Sequence, residues 1–146
     1  MAEAVTAHID GASSGNPGPS GAGVVFYDPE GRQLASLSVP LGPATNNVAE
    51  YLALLYGLQE AQRLGFARLV VKTDSELLAR QFNGQYQVRD ATLRLFHQLA
   101  RHMACAFEQL SVEHVGREFN AEADRLARRA SRVAPGSSAR QQPARS

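Results

Sequence analysis

The sequence predicts a single α/β domain built on a mixed sheet, and three observations carry that prediction. Three β-prone runs precede the first helical pattern. Later β-prone runs alternate with helical ones. The chain of 146 residues, 44% hydrophobic, suffices for one core but not comfortably for two. The order β-β-β-α-β-α-α-β-α puts a hairpin on one edge of the sheet. Helical crossovers join the later strands, which makes them parallel to the first.

"VTAHI", Val5 to Ile9, is a short β-prone run. "GAGVVFYD" and "QLASLSV" read as two strands joined by the Pro/Gly turn "PEGR". "TNNVAEYLALLYGLQEA" then has helical spacing, and the helix is expected from Asn47 to Leu64 with Gly65 as its C-cap residue. "RLVVKT" is a compact strand from Arg68, "SELLARQF" and "ATLRLFHQLARHMA" are helices, "FEQLSVEHV" alternates as a strand, and "NAEADRLARRAS" is a last helix. Leu93, Leu95, Phe96 and Leu99 read as core, and His97 and His102 as surface or near-surface residues. The folded domain is expected over residues 1–133. The Pro-, Ser-, Gly- and Gln-rich stretch over residues 134–146 is expected to be disordered.

Composition excludes several classes. No apolar run approaches the roughly 18 residues of a membrane span. "MAEAVTAHID" lacks the basic start and apolar core of a signal peptide, so a cytoplasmic protein without membrane contact is expected. The single cysteine, Cys105, permits no internal disulfide and no cysteine-built metal site, and it reads as a small buried side chain. Net charge is +1 but unevenly spread. Residues 1–60 carry Arg32 against Glu3, Asp10, Asp28, Glu30, Glu50 and Glu60, whereas arginines crowd the chain from Arg117 onward. That asymmetry predicts an acidic pocket beside a basic surface. Arg132, Arg140 and Arg145 read as solvated or disordered positive charge.

One carboxylate is out of place. Glu50 shares the helical stripe of Leu54, Leu58 and Ala61, where an apolar side chain belongs. If Asn47 is the N-cap, Glu50 is the N3 member of a capping box. Three other carboxylates have equally local explanations. Asp10-Gly11 can form a turn, Asp74 or Thr73 can cap the next helix, and Asp124 can pair with Arg128. All four, however, belong to one end of the predicted sheet, where α/β folds gather their ligands. Two carboxylates about 4 Å apart repel by roughly 4 kcal/mol at an effective dielectric near 20, so protons or cations must neutralise such a group. Hard divalent ions suit an all-oxygen set. Two of them about 3.5–4 Å apart can activate a water and stabilise a leaving oxygen in phosphodiester hydrolysis.

The motifs resemble a known family. "HIDGASSGNPGPSGAGVVFYD", "TNNVAEYLALLYGL", "VVKTDSELL" and "NAEADRLA" look like the four signature blocks of type 1 ribonuclease H, in order, over roughly residues 5–132. The resemblance implies a ribonuclease H-like fold, a five-stranded mixed sheet flanked by helices. It also implies Mg²⁺-dependent endonucleolytic cutting of the RNA strand of an RNA–DNA hybrid, leaving 3′-hydroxyl and 5′-phosphate ends; Mn²⁺ is expected as a substitute ion, and a monomer is expected. The family's metal-binding carboxylates fall on Asp10, Glu50, Asp74 and Asp124. Its substrate contacts fall on Gly11, Ser13, Asn16, Thr45, Asn46 and Asn47. Amides that both donate and accept suit 2′-hydroxyls and base edges in the wide minor groove of a hybrid. Thr45, beside backbone N–H groups at the helix start, is similar to the family's contact to a DNA-strand phosphate.

Two departures qualify the resemblance. Many members carry a loop histidine that assists proton or product movement, and here His114 and Arg117 compete for that place. Arg117 is put ahead because "VGREFNAEADRLA" resembles the compact branch with arginine in that loop, although arginine cannot shuttle a proton. Between the two middle helices lies only "NGQYQVRD", so the basic handle of longer members is absent. Affinity for hybrid is therefore expected to be modest and salt-sensitive. The alternatives are a catalytically inactive hybrid-binding module, which gains nothing from carboxylates facing phosphates, and a DNA-cutting nuclease of the same fold, against which the asparagine-rich loops argue.

Overall fold

The computed structural model describes residues 3–133 and 139–141. The strands are β1 (Val5–Ser13), β2 (Gly18–Tyr27), β3 (Gln33–Ala44), β4 (Arg68–Thr73), β5 (Gln109–His114) and β6 (Ala139–Gln141). The helices are α1 (Asn46–Leu64), α2 (Glu76–Phe82), α3 (Ala91–Ala104) and α4 (Ala121–Ser131), with a 3₁₀ turn at Arg117–Phe119. The sheet order is β5-β4-β1-β2-β3-β6. The β1-β2-β3 meander is antiparallel, β1 pairs parallel with β4, and β4 pairs parallel with β5. The expected mixed sheet, with its hairpin edge and parallel crossovers, is thus present. None of the helices described is long and apolar enough to cross a membrane.

Alternation along the strands builds the two faces. On β2, Ala22, Val24 and Phe26 enter the core shared with α1 residues Tyr51, Leu54 and Leu58. Gly21 and Gly23 point the other way, beneath α4. A Cβ on Gly23 would lie 2.2 Å from the Ala123 carbonyl oxygen, and one on Gly21 would lie 2.3 Å from that of Ala127. Backbone therefore meets backbone across this layer, and the small residues Ala123, Ala127 and Ala130 complete the contact. On β1 the same device faces α1: a Cβ on Gly11 would lie 2.2 Å from the Ala49 carbonyl carbon. These approaches draw α1 and α4 onto the sheet from opposite sides.

Several expectations are corrected. The sheet has six strands, not five, because residues 139–141 of the segment expected to be disordered pair antiparallel with β3. Arg140, read as solvated charge, lies 2.9 Å from the buried Glu60 carboxylate, which Arg63 also holds at 2.9 Å. A three-residue edge strand carries no alternation for a sequence pattern to detect. The rest of residues 134–146, Arg145 among them, lie outside the described residues. Helix α1 starts at Asn46, and its N-cap is Thr45, not Asn47: the Thr45 hydroxyl accepts from the Val48 N–H at 3.2 Å. Helix α2 is capped by Ser75, one residue beyond Asp74. Gly65 ends α1 in the left-handed conformation, φ 81°, as expected.

Helix α3 buries a narrower stripe than expected. Leu93 and Ala100 are buried, Phe96 is half-buried, and Leu95 and Leu99 are 66% and 48% exposed. Among the described elements the helix packs chiefly against α1, with a smaller contact to α2, so residues on its outer sector stay in solvent. Cys105, one residue past its end, is also exposed. His102 is exposed, and His97 is half-buried with Nε2 3.1 Å from the Gln81 carbonyl oxygen.

The backbone approach at Gly23 is directly testable. Gly23→Ala should destabilise the fold by about 1–3 kcal/mol through overpacking, read as a lower urea midpoint. An unchanged midpoint would show that α4 does not lie on β2 as described.

Candidate active site

The carboxyl ends of β1 and β4 open toward the starts of α1 and α4, and four carboxylates line the cleft between them. Asp10 comes from the middle of the sheet, Asp74 from the residue after β4, Glu50 from the first turns of α1, and Asp124 from the first turn of α4. Oxygens of Asp10, Glu50 and Asp74 lie within 4.8 Å of one another. Asp124 shares the same cleft, of about 480 Å³. Its carboxylate is held 3.0 Å from the Arg128 guanidinium, the i+4 pair anticipated in the sequence.

Glu50 does not close a capping box. Its Oε1 accepts the Gly11 N–H at 2.5 Å, so the carboxylate crosses from α1 to β1 and ends beside Asp10. The closeness of α1 to Gly11 makes that bond possible. Burial pushes the Asp10 carboxyl up to about 10, reinforced by the charges of Glu50 and Asp74. Burial likewise pushes Glu50 up to about 8; the Gly11 N–H and the Arg117 charge work in the opposite direction. The cluster is therefore under-compensated by the protein itself. A buried, all-carboxylate donor set that must bind either protons or cations fits hard divalent ions, with Asp10, Glu50 and Asp74 as the closest ligands and Asp124 beside them.

The remaining predicted residues divide between those that line the cleft and those that shape it. Gly11, Ser13, Asn46 and Arg117 line it. The Arg117 Nε sits 4.0 Å from Asp74 Oδ2 on a side chain that is 83% exposed. Asn16 Oδ1 accepts the Asn46 N–H at 3.0 Å and so ties the Gly/Pro loop to the start of α1. The Ser13 hydroxyl donates to the Ala44 carbonyl at 2.9 Å, joining β1 to the end of β3. Thr45 caps α1, and Asn47 is exposed in its first turn. His114 ends β5 opposite Thr73, on the strand face shared by Leu110 and Val112, and does not line the cleft.

Arg128, Ser131 and Arg132 also line the cleft, and the sequence reading gave them no place there. Their signal was available: Arg128 and Arg132 follow Asp124 at steps of four and so share its helix face. Arg132, read as solvated charge, is indeed exposed, and it also edges the cleft.

The raised carboxyls predict a particular pH response of the metal-free protein. A group whose folded pKa exceeds its unfolded value contributes its full stability below the unfolded value, near 3.8 for Asp10 and 4.5 for Glu50, and loses it as pH rises through the folded value. Asp28, Glu60 and Glu122 are held low by arginine contacts and the Asp28 turn, and His8 is held low by burial, so these groups are silent at higher pH. With chelator present, Tm should fall from about pH 7 to about pH 9, and Mg²⁺ or the Asp10→Asn substitution should flatten the slope. A Tm that rises over that interval would contradict the assignment.

The site geometry agrees with what the chain resembles. Residues 8–130 match the family described as "Reverse transcriptase-like". The chain is 40% identical over 126 residues to Ribonuclease HI of Halobacterium salinarum, an alignment covering 86% of this chain and 63% of that protein. It is also 40% identical over 124 residues to the Bifunctional protein Rv2228c of Mycobacterium tuberculosis, of which it spans 34%. The chain thus covers less than two thirds of either relative's length. The crystal structure of RNase H1 from Halobacterium salinarum superposes with a TM-score of 0.87 at 39% identity, over 90% of this chain and 100% of that one. LC11-RNase H1, solved in complex with an RNA/DNA hybrid, superposes with a TM-score of 0.84 at 38% identity, over 88% of this chain and 96% of that one. With the family match spanning the strands and helices that carry all four carboxylates, the chain belongs to the type 1 ribonuclease H family.

Proposed function

We propose that the chain is a metal-dependent endoribonuclease that hydrolyses the RNA strand of RNA–DNA hybrids, leaving 3′-hydroxyl and 5′-phosphate ends. The observation that carries this reading is the clustering of Asp10, Glu50 and Asp74 within 4.8 Å, with Asp124 in the same cleft. Such a group repels a bare phosphodiester, so a purely binding role is disfavoured; it attracts a phosphodiester only when cations are held between. Mg²⁺ is the proposed ion, with Mn²⁺ as a substitute. Asp10, Glu50, Asp74 and Asp124 would hold such ions, which would supply an activated water and neutralise charge on the scissile phosphate.

The chain's own residues do the rest. Asn46 at the cleft, with Asn16 bound to its backbone N–H, offers amide groups suited to the 2′-hydroxyls of a hybrid's minor groove. Thr45, at the positive end of the α1 dipole, offers a phosphate contact for the DNA strand. Arg117, Arg128 and Arg132 rim the acidic floor with permanent positive charge, which binds flanking phosphates without entering proton transfer. Of the two candidates for turnover we favour Arg117, which lines the cleft, over His114, which does not.

Cleavage of a labelled RNA strand in a hybrid, with Mg²⁺, Mn²⁺ or chelator and beside a matched DNA duplex, tests the reading. Cation-dependent cutting of the hybrid alone is expected, falling at least about a hundredfold in Asp10→Asn. Binding without cutting would replace the enzyme by a hybrid-binding module. In the same assay Arg117→Ala should lower kcat about tenfold, the worth of one charge-assisted contact, while His114→Ala stays within about twofold. The reverse ranking would return the turnover role to His114.

A further inference from the structure

Asn120 is an almost fully buried amide, 1% exposed, one residue before α4 begins. Asparagine at a helix start ordinarily turns its side chain onto the first N–H groups of that helix. Here it makes no such cap. Its Nδ2 donates instead to the Ile9 carbonyl at 2.8 Å, and its Oδ1 accepts from His8 Nδ1 at 3.2 Å. Ile9 is the last β1 residue in register with β4 and directly precedes Asp10. Through its backbone Asn120 accepts the Asp124 N–H at 3.0 Å and donates to the Arg117 carbonyl at 3.0 Å. One side chain thus fastens the loop of Arg117 and the helix of Asp124 to the strand of Asp10. His8 fixes the orientation of that amide. The imidazole, packed edge-on against Tyr27 with centroids 5.4 Å apart, occupies the Oδ1 side and leaves Nδ2 aimed at Ile9.

We infer that His8 and Asn120 are a positioning pair that sets the distance of Asp124 from Asp10, and that this distance determines how strongly the cleft holds its cations. The inference rests on the proposed hydrolytic function, and it assigns neither residue to the reacting atoms. The Asn120 amide is the side-chain bond that ties the start of α4 to the β1 backbone, whereas farther along α4 rests on β2 through the close backbone approaches at Gly21 and Gly23. Loss of the amide therefore frees α4 to shift at its first turn while leaving the layer packed. A catalytic group displaced by about 1 Å can cost up to roughly a hundredfold in rate.

The test compares wild type, Asn120→Ala, His8→Phe and, as a stability-matched control, Leu69→Ala at the far end of β4. Each is measured for Tm, for hybrid-cleavage kcat and KM, and for the Mn²⁺ concentration that half-saturates the thermal upshift. Asn120→Ala should lose at least about tenfold in kcat with KM changed by less than about twofold, and should need several-fold more Mn²⁺. Leu69→Ala should lose Tm but keep both the kcat and the Mn²⁺ midpoint. If Asn120→Ala does not fold, His8→Phe decides: it keeps the ring packing, removes the donor, and should shift the Mn²⁺ midpoint in the same direction. An Mn²⁺ midpoint and kcat no further from wild type than those of Leu69→Ala would overturn the pairing. A wild type that binds Mn²⁺ but cuts no hybrid would overturn the proposed function instead, and the Mn²⁺ midpoints alone would then decide the positioning role.

Discussion

Mutual repulsion among Asp10, Glu50 and Asp74 is the constraint on which the rest of the molecule depends. Groups that would separate in solution are held within 4.8 Å because each is fastened to a different rigid element. Asp10 sits on the central strand, where β2 and β4 flank it, and cannot retreat. Glu50 is brought down by α1, which lies against β1 at a point where only glycine fits, and is anchored there by the Gly11 N–H. Asp124 arrives on α4, whose close seating depends on Gly21 and Gly23. The hydrophobic core thus stabilises an arrangement that electrostatics alone opposes.

That opposition is what makes the cleft chemically useful. Burial and repulsion leave Asp10 and Glu50 with raised affinity for protons, and a site that holds protons so readily will exchange them for cations when these are present. The arginines are disposed around the carboxylates and are not interleaved with them. Arg128 touches Asp124, Arg117 approaches Asp74 at 4.0 Å, and Arg132 lies beyond. On the proposed function, positive charge at the rim would draw in a polyanion, while the uncompensated floor would be left for metal. A tighter ion pair at Asp10 would stabilise the fold and remove that capacity.

Much of this was legible in the sequence. Helical and strand periodicities located every element except β6 and the short 3₁₀ turn, and the position of each carboxylate at a strand end or helix start brought all four to one end of the sheet. Glu50 was conspicuous because an acid on an apolar stripe needs a reason, although its partner, Gly11, lies 39 residues away and no local pattern names it. The same limit hid the Glu60–Arg140 pair, the burial of Asn120 and the diversion of its amide to Ile9. Long-range pairs are set by how layers meet, and layer contact here is governed by glycines whose role shows only in three dimensions. Leu95, Leu99 and Cys105 were assigned to the core from hydrophobicity alone, and the outer position of α3 left them exposed.

Proton release on cation binding tests the central claim most directly. Mn²⁺ added to the metal-free protein in weakly buffered solution near pH 7 should displace protons from the Asp10–Glu50 pair and acidify the solution, with a markedly smaller response in Asp10→Asn. Mn²⁺ bound with no proton released would mean that the carboxylates are already fully ionised, and that the protein offsets their repulsion by some means other than protons and metal.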